Sequence, residues 1–396
     1  MQTSQTYTRT HYLLAVSRIV TGMLFIFSGF IKANDPTGFG YKLEEYFQVF
    51  GTHFLNDYAI TLAVVICGLE ILLGALLLLG FWGRTVAWGL LLLILFFTFL
   101  TFYSAFFEVV TSCGCFGDAI PLTPWQSFGK DLILLLLILI IFFNRGQIRP
   151  LISGGFAQSI ITAMVVVISL GIGIYTLNFL PFIDFLPYKK GNNLPKLMTL
   201  PAGEAGDQYE IIYTLKNKAS NEEKKVSDKV YLAEELWKDE NWEIIGDPES
   251  KLVKKGYQIA IPDLLISDAN GDDITQELIE NPYYNLVIVA WDLEKTNLEA
   301  LREINSLVMN AAEAYNIRSI LLTASSTQEA EQISDEQNLL AEIFYADAVP
   351  LKSMVRANPG VLLMQNGTVI DKWHYNTLPG FDTLDKLYFN KAYHNE

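Results

Sequence analysis

Long apolar runs fill the first half of this chain, and short alternating ones fill the second. Five runs approach the roughly 20 apolar residues that a spanning helix needs: 13–31, 58–80, 85–107, 127–143 and 160–180. Each predicts a transmembrane helix. The fourth opens on Lys130 and Asp131, so its outer end is expected in the headgroup layer. Beyond it and the fifth run, the stretch 181–195, with Pro181, Pro187, Gly191 and Pro195, reads as an extended linker. Residues 209–260 alternate in places and predict short strands, with a helix around 232–237. From Ile261 strands and helices take turns. IPDLLISDANGDDI reads as strand, turn and strand; 285–291 as a buried strand; 298–315 as a helix; 318–325 as a second buried strand. NPGVLLMQNGTVI reads as a hairpin turning at Asn366-Gly367. The expected fold is an α-helical membrane bundle of four helices plus a fifth spanning helix, followed by an α/β domain. The expected units are 1–150, 151–195, 196–259 and 260–396.

Composition agrees with a membrane half and a soluble half. Of the 396 residues 51% are hydrophobic and 18% charged, too apolar for a wholly soluble chain. The net charge of −15 is concentrated after residue 185, which argues against a nucleic-acid partner. The first run is too long for a cleaved signal and reads as an anchor that stays. Two spans separate the 108–126 loop from the soluble half, so both are expected on one side. The tight turns around Arg84 and around 145–149 carry Arg and no acid, and Arg9 and Arg18 lie on their side. The opposite loops hold Asp35, Glu44, Glu45, Asp57, Glu108 and Asp118. Lys and Arg near the span ends tie when all are counted equally; with the arginine turns set against these acid-bearing loops, the positive-inside rule leans towards an inner amino terminus and an outer soluble half. A multi-pass protein of the bacterial inner membrane, with its C-terminal domain in the oxidising periplasm, is expected.

The chemistry is sparse. TSCGCFGD, residues 111–118, holds Cys113 and Cys115, two of three cysteines. Gly114 permits the bend that would join them, and so small a ring is strained and readily reduced. A reversible thiol–disulfide pair, a metal site and a static bond or idle thiols are the alternatives. His53 and Asp118 share the side but have no diagnostic ligand spacing. Asp118 is expected to raise a neighbouring thiol's pKa and could accept a proton during exchange. Cys67, inside the second span, reads as inert packing.

Glu70 lies mid-membrane, with Arg18 in the inner turn of the first span and Lys32 at its outer end. Glu70 is expected to reach Arg18. The pair would either lock the bundle or line a polar pocket for a quinone headgroup or a proton relay. Gly22, Gly29, Gly68 and Gly74 are expected at close helix contacts. The Asp268–Asp273 loop reads as a solvated turn rather than a calcium site, Asn366 as part of a turn rather than a glycosylation site, and His374 as a surface residue.

The pattern R-x3-G-x4-F-S-G-x2-K-x2-D-P from Arg18 to Pro36, then G-x-E-x3-G from Gly68 and a glycine-rich turn ending in Arg84, resembles the DoxX/MauE group of four-helix membrane proteins. CGCFGD resembles its MauE-like branch. The resemblance covers about residues 13–145. It implies envelope redox chemistry, with Cys113 and Cys115 as the redox pair and quinone as a possible cofactor. Residues 260–385 resemble the thioredoxin-like fold of the TlpA/peroxiredoxin type. That implies a cis bond before Pro359 and a partner-binding groove at Asn358, Pro359 and Gly360. Where that family carries its cysteine pair, this chain has AWDLEKTN, without sulfur.

Two functions follow as expectations. In one, Cys113 and Cys115, helped by Asp118, exchange disulfides with envelope clients or a soluble thiol partner, while the silent domain binds a partner. In the other, the protein is a non-enzymatic membrane scaffold that recruits envelope proteins.

Overall fold

Six helices open the chain. In the computed structural model, which describes residues 2–110, 114 and 116–390 with side chains from residue 11 onward, they are α1 (Gln2–Asn34), α2 (Pro36–Val49), α3 (Ala59–Leu79), α4 (Gly83–Phe107), α5 (Pro124–Phe143) and α6 (Gly155–Asn178). Five segments are long and apolar enough to cross a membrane: His11–Asn34, His53–Leu79, Gly83–Phe107, Pro124–Phe143 and Gly155–Asn178. They make a multi-pass membrane bundle. Leu92, Phe99, Leu136 and Val167 point outward from it, as lipid-facing residues do. α3 is its centre, packed on α1 and α6, with α4 against α5. The close approach of α1 and α3 depends on glycine. A Cβ on Gly22 would lie 3.1 Å from the Gly74 carbonyl oxygen, and one on Gly29 would lie 2.9 Å from that of Cys67.

α2 was not expected from the sequence. Asp35 starts it by accepting from the Gly38 N–H at 2.9 Å, with Pro36 in the first turn. Its 14 residues are too few to span. It lies across the bundle end and buries Phe39, Leu43 and Tyr46, whose hydroxyl lies 2.7 Å from Ser104 Oγ. α5 starts earlier than expected because Thr123 and Gln126 form a capping box. Its Asp131 faces protein rather than solvent. It is buried in the bundle, accepting from Thr101 Oγ1 at 3.0 Å and pairing with Lys130 at 2.6 Å.

The stretch after α6, expected as an extended linker, packs against the C-terminal domain. Leu186, Tyr188 and Leu194 are buried, and the backbone bonds to the C-terminal hairpin through Gly191 to Val369 and Leu194 to Gly367. Apolar side chains at the right spacing, and an unpaired strand edge to receive the backbone, turn a linker into part of the domain. The short α7 (Leu194–Met198) follows. A four-stranded antiparallel sheet then forms from β1 (Gln208–Asn217), β2 (Glu223–Ser227), β3 (Trp242–Ile244) and β4 (Glu249–Lys254), with α8 (Asp228–Ala233) beside it. Within these strands Leu215 alone is buried.

The last unit is an α/β domain. In order come α9 (Thr275–Ile279), β5 (Asn285–Val289), α10 (Leu298–Tyr315), β6 (Arg318–Thr323), α11 (Thr327–Gln337), β7 (Glu342–Tyr345), α12 (Ala348–Met354), β8 (Gly360–Gln365) and β9 (Thr368–His374). The sheet runs β7-β6-β5-β8-β9, with β5, β6 and β7 parallel and β8 and β9 antiparallel. Leu286, Val287, Ile288 and Val289 of β5 are all buried because both faces of the sheet are covered. The hairpin expected near Asp268 is present only in reduced form: the Ile274 N–H donates to the Ile266 carbonyl and the Asp268 N–H to that of Asp272, without extended strands on either side. Ser267 makes only isolated bridges, to Asp273 and Tyr345. The Asp268 carboxylate instead accepts from the Asn270 and Asp272 N–H groups, and Thr275 Oγ1 accepts from the Ile266 N–H. This turn closes too tightly to leave a second strand.

Candidate functional site

The α/β domain rests on the bundle through residues of α12 and the segment after it. Arg356 Nε donates to both oxygens of Asp35, at 2.8 and 3.1 Å, and Nη1 to the Lys352 carbonyl at 2.5 Å. Its Nη2 stands 3.6 Å from Asp118 Oδ2, and its guanidinium lies 5.7 Å from the Tyr41 ring centroid. Arg356 is therefore held by α1's end, by α2 and by the loop that carries the Cys-Gly-Cys. Lys352 makes a second tie: its Nζ lies 4.1 Å from the Tyr41 ring centroid, 4.3 Å from that of Trp291 and 4.0 Å from Glu44. Further out, Lys372 pairs with Asp184 at 2.5 Å, and Asn34 Nδ2 donates to the Ile183 carbonyl at 2.8 Å.

Asp35, Tyr41, Glu44, Asp118, Lys352 and Arg356 line a cavity of about 380 Å³. Gly114, Gly117 and Asp118 form its loop wall, Tyr41 and Lys42 the α2 wall, and Arg356 the roof. Cys113 and Cys115 lie outside the described residues. Gly114, between them in the chain, has φ +64°, the left-handed region that glycine enters freely.

Electrostatics at the junction follow burial. Burial pushes the Asp118 carboxyl up, while Arg356 pulls it back. Burial likewise raises Glu44 and lowers Lys352, each opposed by the other. Arg356 is raised overall, because Asp35 and Asp118 outweigh the cost of its burial.

Asn358, Pro359 and Gly360 are turned inward. The Asn358–Pro359 peptide is cis. Asn358 Nδ2 donates to the Asp292 carbonyl and its Oδ1 accepts from Thr296, while Pro359 and Gly360 are buried. His374, expected at the surface, is buried, and its pKa is pushed down to about 4 by that burial. Its Nδ1 accepts from the Asn376 N–H at 3.1 Å.

The membrane site differs from expectation. Glu70 pairs with Lys32, not with Arg18, whose Nη2 donates to the Leu77 carbonyl at 3.1 Å. Helical side chains lean toward their own amino terminus. α1 and α3 run antiparallel, so Lys32 leans inward and Glu70 outward, and they meet; Arg18 leans away. Aromatic faces of Phe97 and Phe39 close around Lys32 Nζ, with centroids at 4.4 and 5.1 Å. Glu70 Oε2 is buried and has no hydrogen-bond partner among the described residues. The adjoining cavity, shared with Lys130 and Asp131, measures about 20 Å³, room for about one water. Arg18 does not line it. Cys67 is buried. The α2 cap and Arg356 were missed by sequence reasoning; the Asp35-Pro36 pair was the available signal for the first.

Comparison with known proteins agrees with the membrane architecture. The family model described as methylamine utilisation protein MauE matches residues 10–144. Residues 10–144 are MauE-like. Protein TlpB of Flavobacterium psychrophilum is 29% identical over 140 residues, 34% of this chain and 38% of that protein. The aligned stretch thus spans well under half of that relative. No solved structure matches.

Proposed function

We propose that this MauE-like membrane protein exchanges thiols and disulfides through Cys113 and Cys115, on the membrane side that carries its soluble domain. The observation that carries this reading is the junction itself: the residue between the two cysteines and Asp118 line one cavity with Arg356. The step is an exchange. The Cys113–Cys115 disulfide accepts two electrons from a client dithiol, the client becomes a disulfide, and the chain is left as a dithiol. Asp118 takes or returns the proton. The name of the TlpB relative and the strand order of the α/β domain support a thioredoxin-like reading of residues 260–385, here without sulfur. The arginine-bearing turns support a cell-envelope setting with the soluble domain outside the inner membrane. No step is routed through a quinone.

Trapping tests the reading. Cys115→Ala should accumulate a mixed disulfide through Cys113, visible on non-reducing gels and lost with reductant. Unchanged client oxidation after replacement of both cysteines by alanine would rule it out. The scaffold reading draws on the cysteine-free soluble half; it requires partner co-purification to survive loss of both cysteines.

A further inference from the structure

We propose that the membrane bundle holds an internal water on Glu70, in a pocket that takes water from the end bearing the soluble domain and is closed at the other. Through that water Glu70 can exchange protons with one side of the membrane only. Neither Cys113 nor Cys115 takes part.

Four charged side chains line the pocket: Lys32 of α1, Glu70 of α3, and Lys130 and Asp131 of α5. Two acids and two bases leave it neutral, which favours a neutral guest over an ion. Asp35, at the end of α1, is held by Arg356. Asp131 has both oxygens taken, Oδ1 by Lys130 at 2.6 Å and Oδ2 by Thr101 at 3.0 Å. Glu70 does not. Its Oε1 accepts from Lys32, whereas its Oε2 has no hydrogen-bond partner among the described residues, although Glu70 is only 1% exposed. A bare carboxylate oxygen is costly inside a bilayer. Glu70 lines this pocket and not the junction cavity, so the space beside Oε2 is the pocket. At about 20 Å³ it takes about one water, with Ser28 and the Lys130–Asp131 pair as further polar neighbours.

The two ends of the pocket differ. Phe25, Ile94 and Leu134 form its floor, and all three are buried in the apolar core that continues to Phe81 at the far end of the bundle. Towards the soluble domain lies Lys32, which lines both this pocket and the junction cavity. Its Nζ has the Phe97 ring on the pocket side and the Phe39 ring on the junction side. Phe116 and Lys130 border the same end and are only half-buried. A long side chain between two rings can move aside for a water; a packed apolar floor cannot do so without opening a void.

The experiment uses the full chain in lipid nanodiscs, equilibrated with heavy-oxygen water. A short X-ray pulse makes hydroxyl radicals wherever water lies, and a ring beside water gains heavy oxygen, read by peptide mass spectrometry. Phe97 and Phe25 should be labelled; Phe81, also buried, should not. Lys32→Met with Glu70→Leu removes both charges as a pair and should bring Phe97 down to the Phe81 level. Phe97 labelled no more than Phe81 in the unaltered chain overturns the proposal without any variant. Equal labelling of all three rings would show water running through the bundle, and would overturn the closed end. Phe97 labelling that persists in the double variant would overturn Glu70 as the holder of the water.

Discussion

Lys32 and Arg356 are both buried cations, and they are held in different ways. Lys32 sits inside the bundle against one carboxylate, Glu70, and two aromatic faces. Arg356 sits between domains against two carboxylates from separate segments, a carbonyl and one ring. The first pair joins neighbouring antiparallel helices, so the lean of helical side chains is enough to make it. The second joins residues 321 apart, and only docking of one domain on another makes it. Charge in the membrane interior is thus handled locally and strictly. Charge at the junction is shared, and sharing leaves alternatives when one partner is lost.

The largest effect is expected for Glu70→Ala. It strands Lys32 in an apolar bundle and should cost about 3–5 kcal/mol, seen as a marked drop in thermal stability in detergent. The double change Lys32→Met with Glu70→Leu should recover most of it; no recovery would mean the pair does more than neutralise charge. Asp35→Ala should cost less, about 2 kcal/mol, by losing the α2 cap and one partner of Arg356. Arg356 keeps Asp118 and the edge of the cavity. The expected readout is faster proteolysis near 181–193 with the bundle melt barely moved. Equal loss from Asp35→Ala and Glu70→Ala would erase the distinction drawn above.

His374 sharpens it through pH. Its folded pKa of about 4 lies below the unfolded value of 6.5, so the native state holds it neutral. The unfolded chain binds the extra proton first. The stability from neutral His374 is therefore complete above pH 6.5 and is lost as pH falls towards 4. Asn376, next to it, donates to the Asn178 carbonyl at the end of α6, so this junction should loosen in that window. His374→Gln should flatten that part of the pH profile, measured as the unfolding temperature of the soluble half. The smallest effect is expected for Lys225→Gln. Its pair with Glu249 is more than half exposed on both sides, and its loss should stay within about 0.5 kcal/mol.

Much of this was legible in the chain. The five spans could be read because lipid demands long apolar runs. The 298–315 helix could be read because its apolar spacing and Asn297 cap agree. The 181–195 segment was misread because prolines report local backbone preference and say nothing about which strand edge lies nearby. The Glu70 partner was misread because span position was weighed without side-chain lean. Arg356 carried no signal, as an arginine before Ala-Asn-Pro looks like any surface cation.

Order along the chain was enough to establish a membrane bundle, an α/β domain and a Cys-Gly-Cys in a loop on the soluble domain's side. That information is local, since a bilayer selects for apolar length and a sheet for short buried runs. What covers the loop, which acid meets which base and whether the cis-proline edge is open were decided only in three dimensions. Such contacts depend on the distance between residues hundreds of positions apart, and no local pattern encodes it.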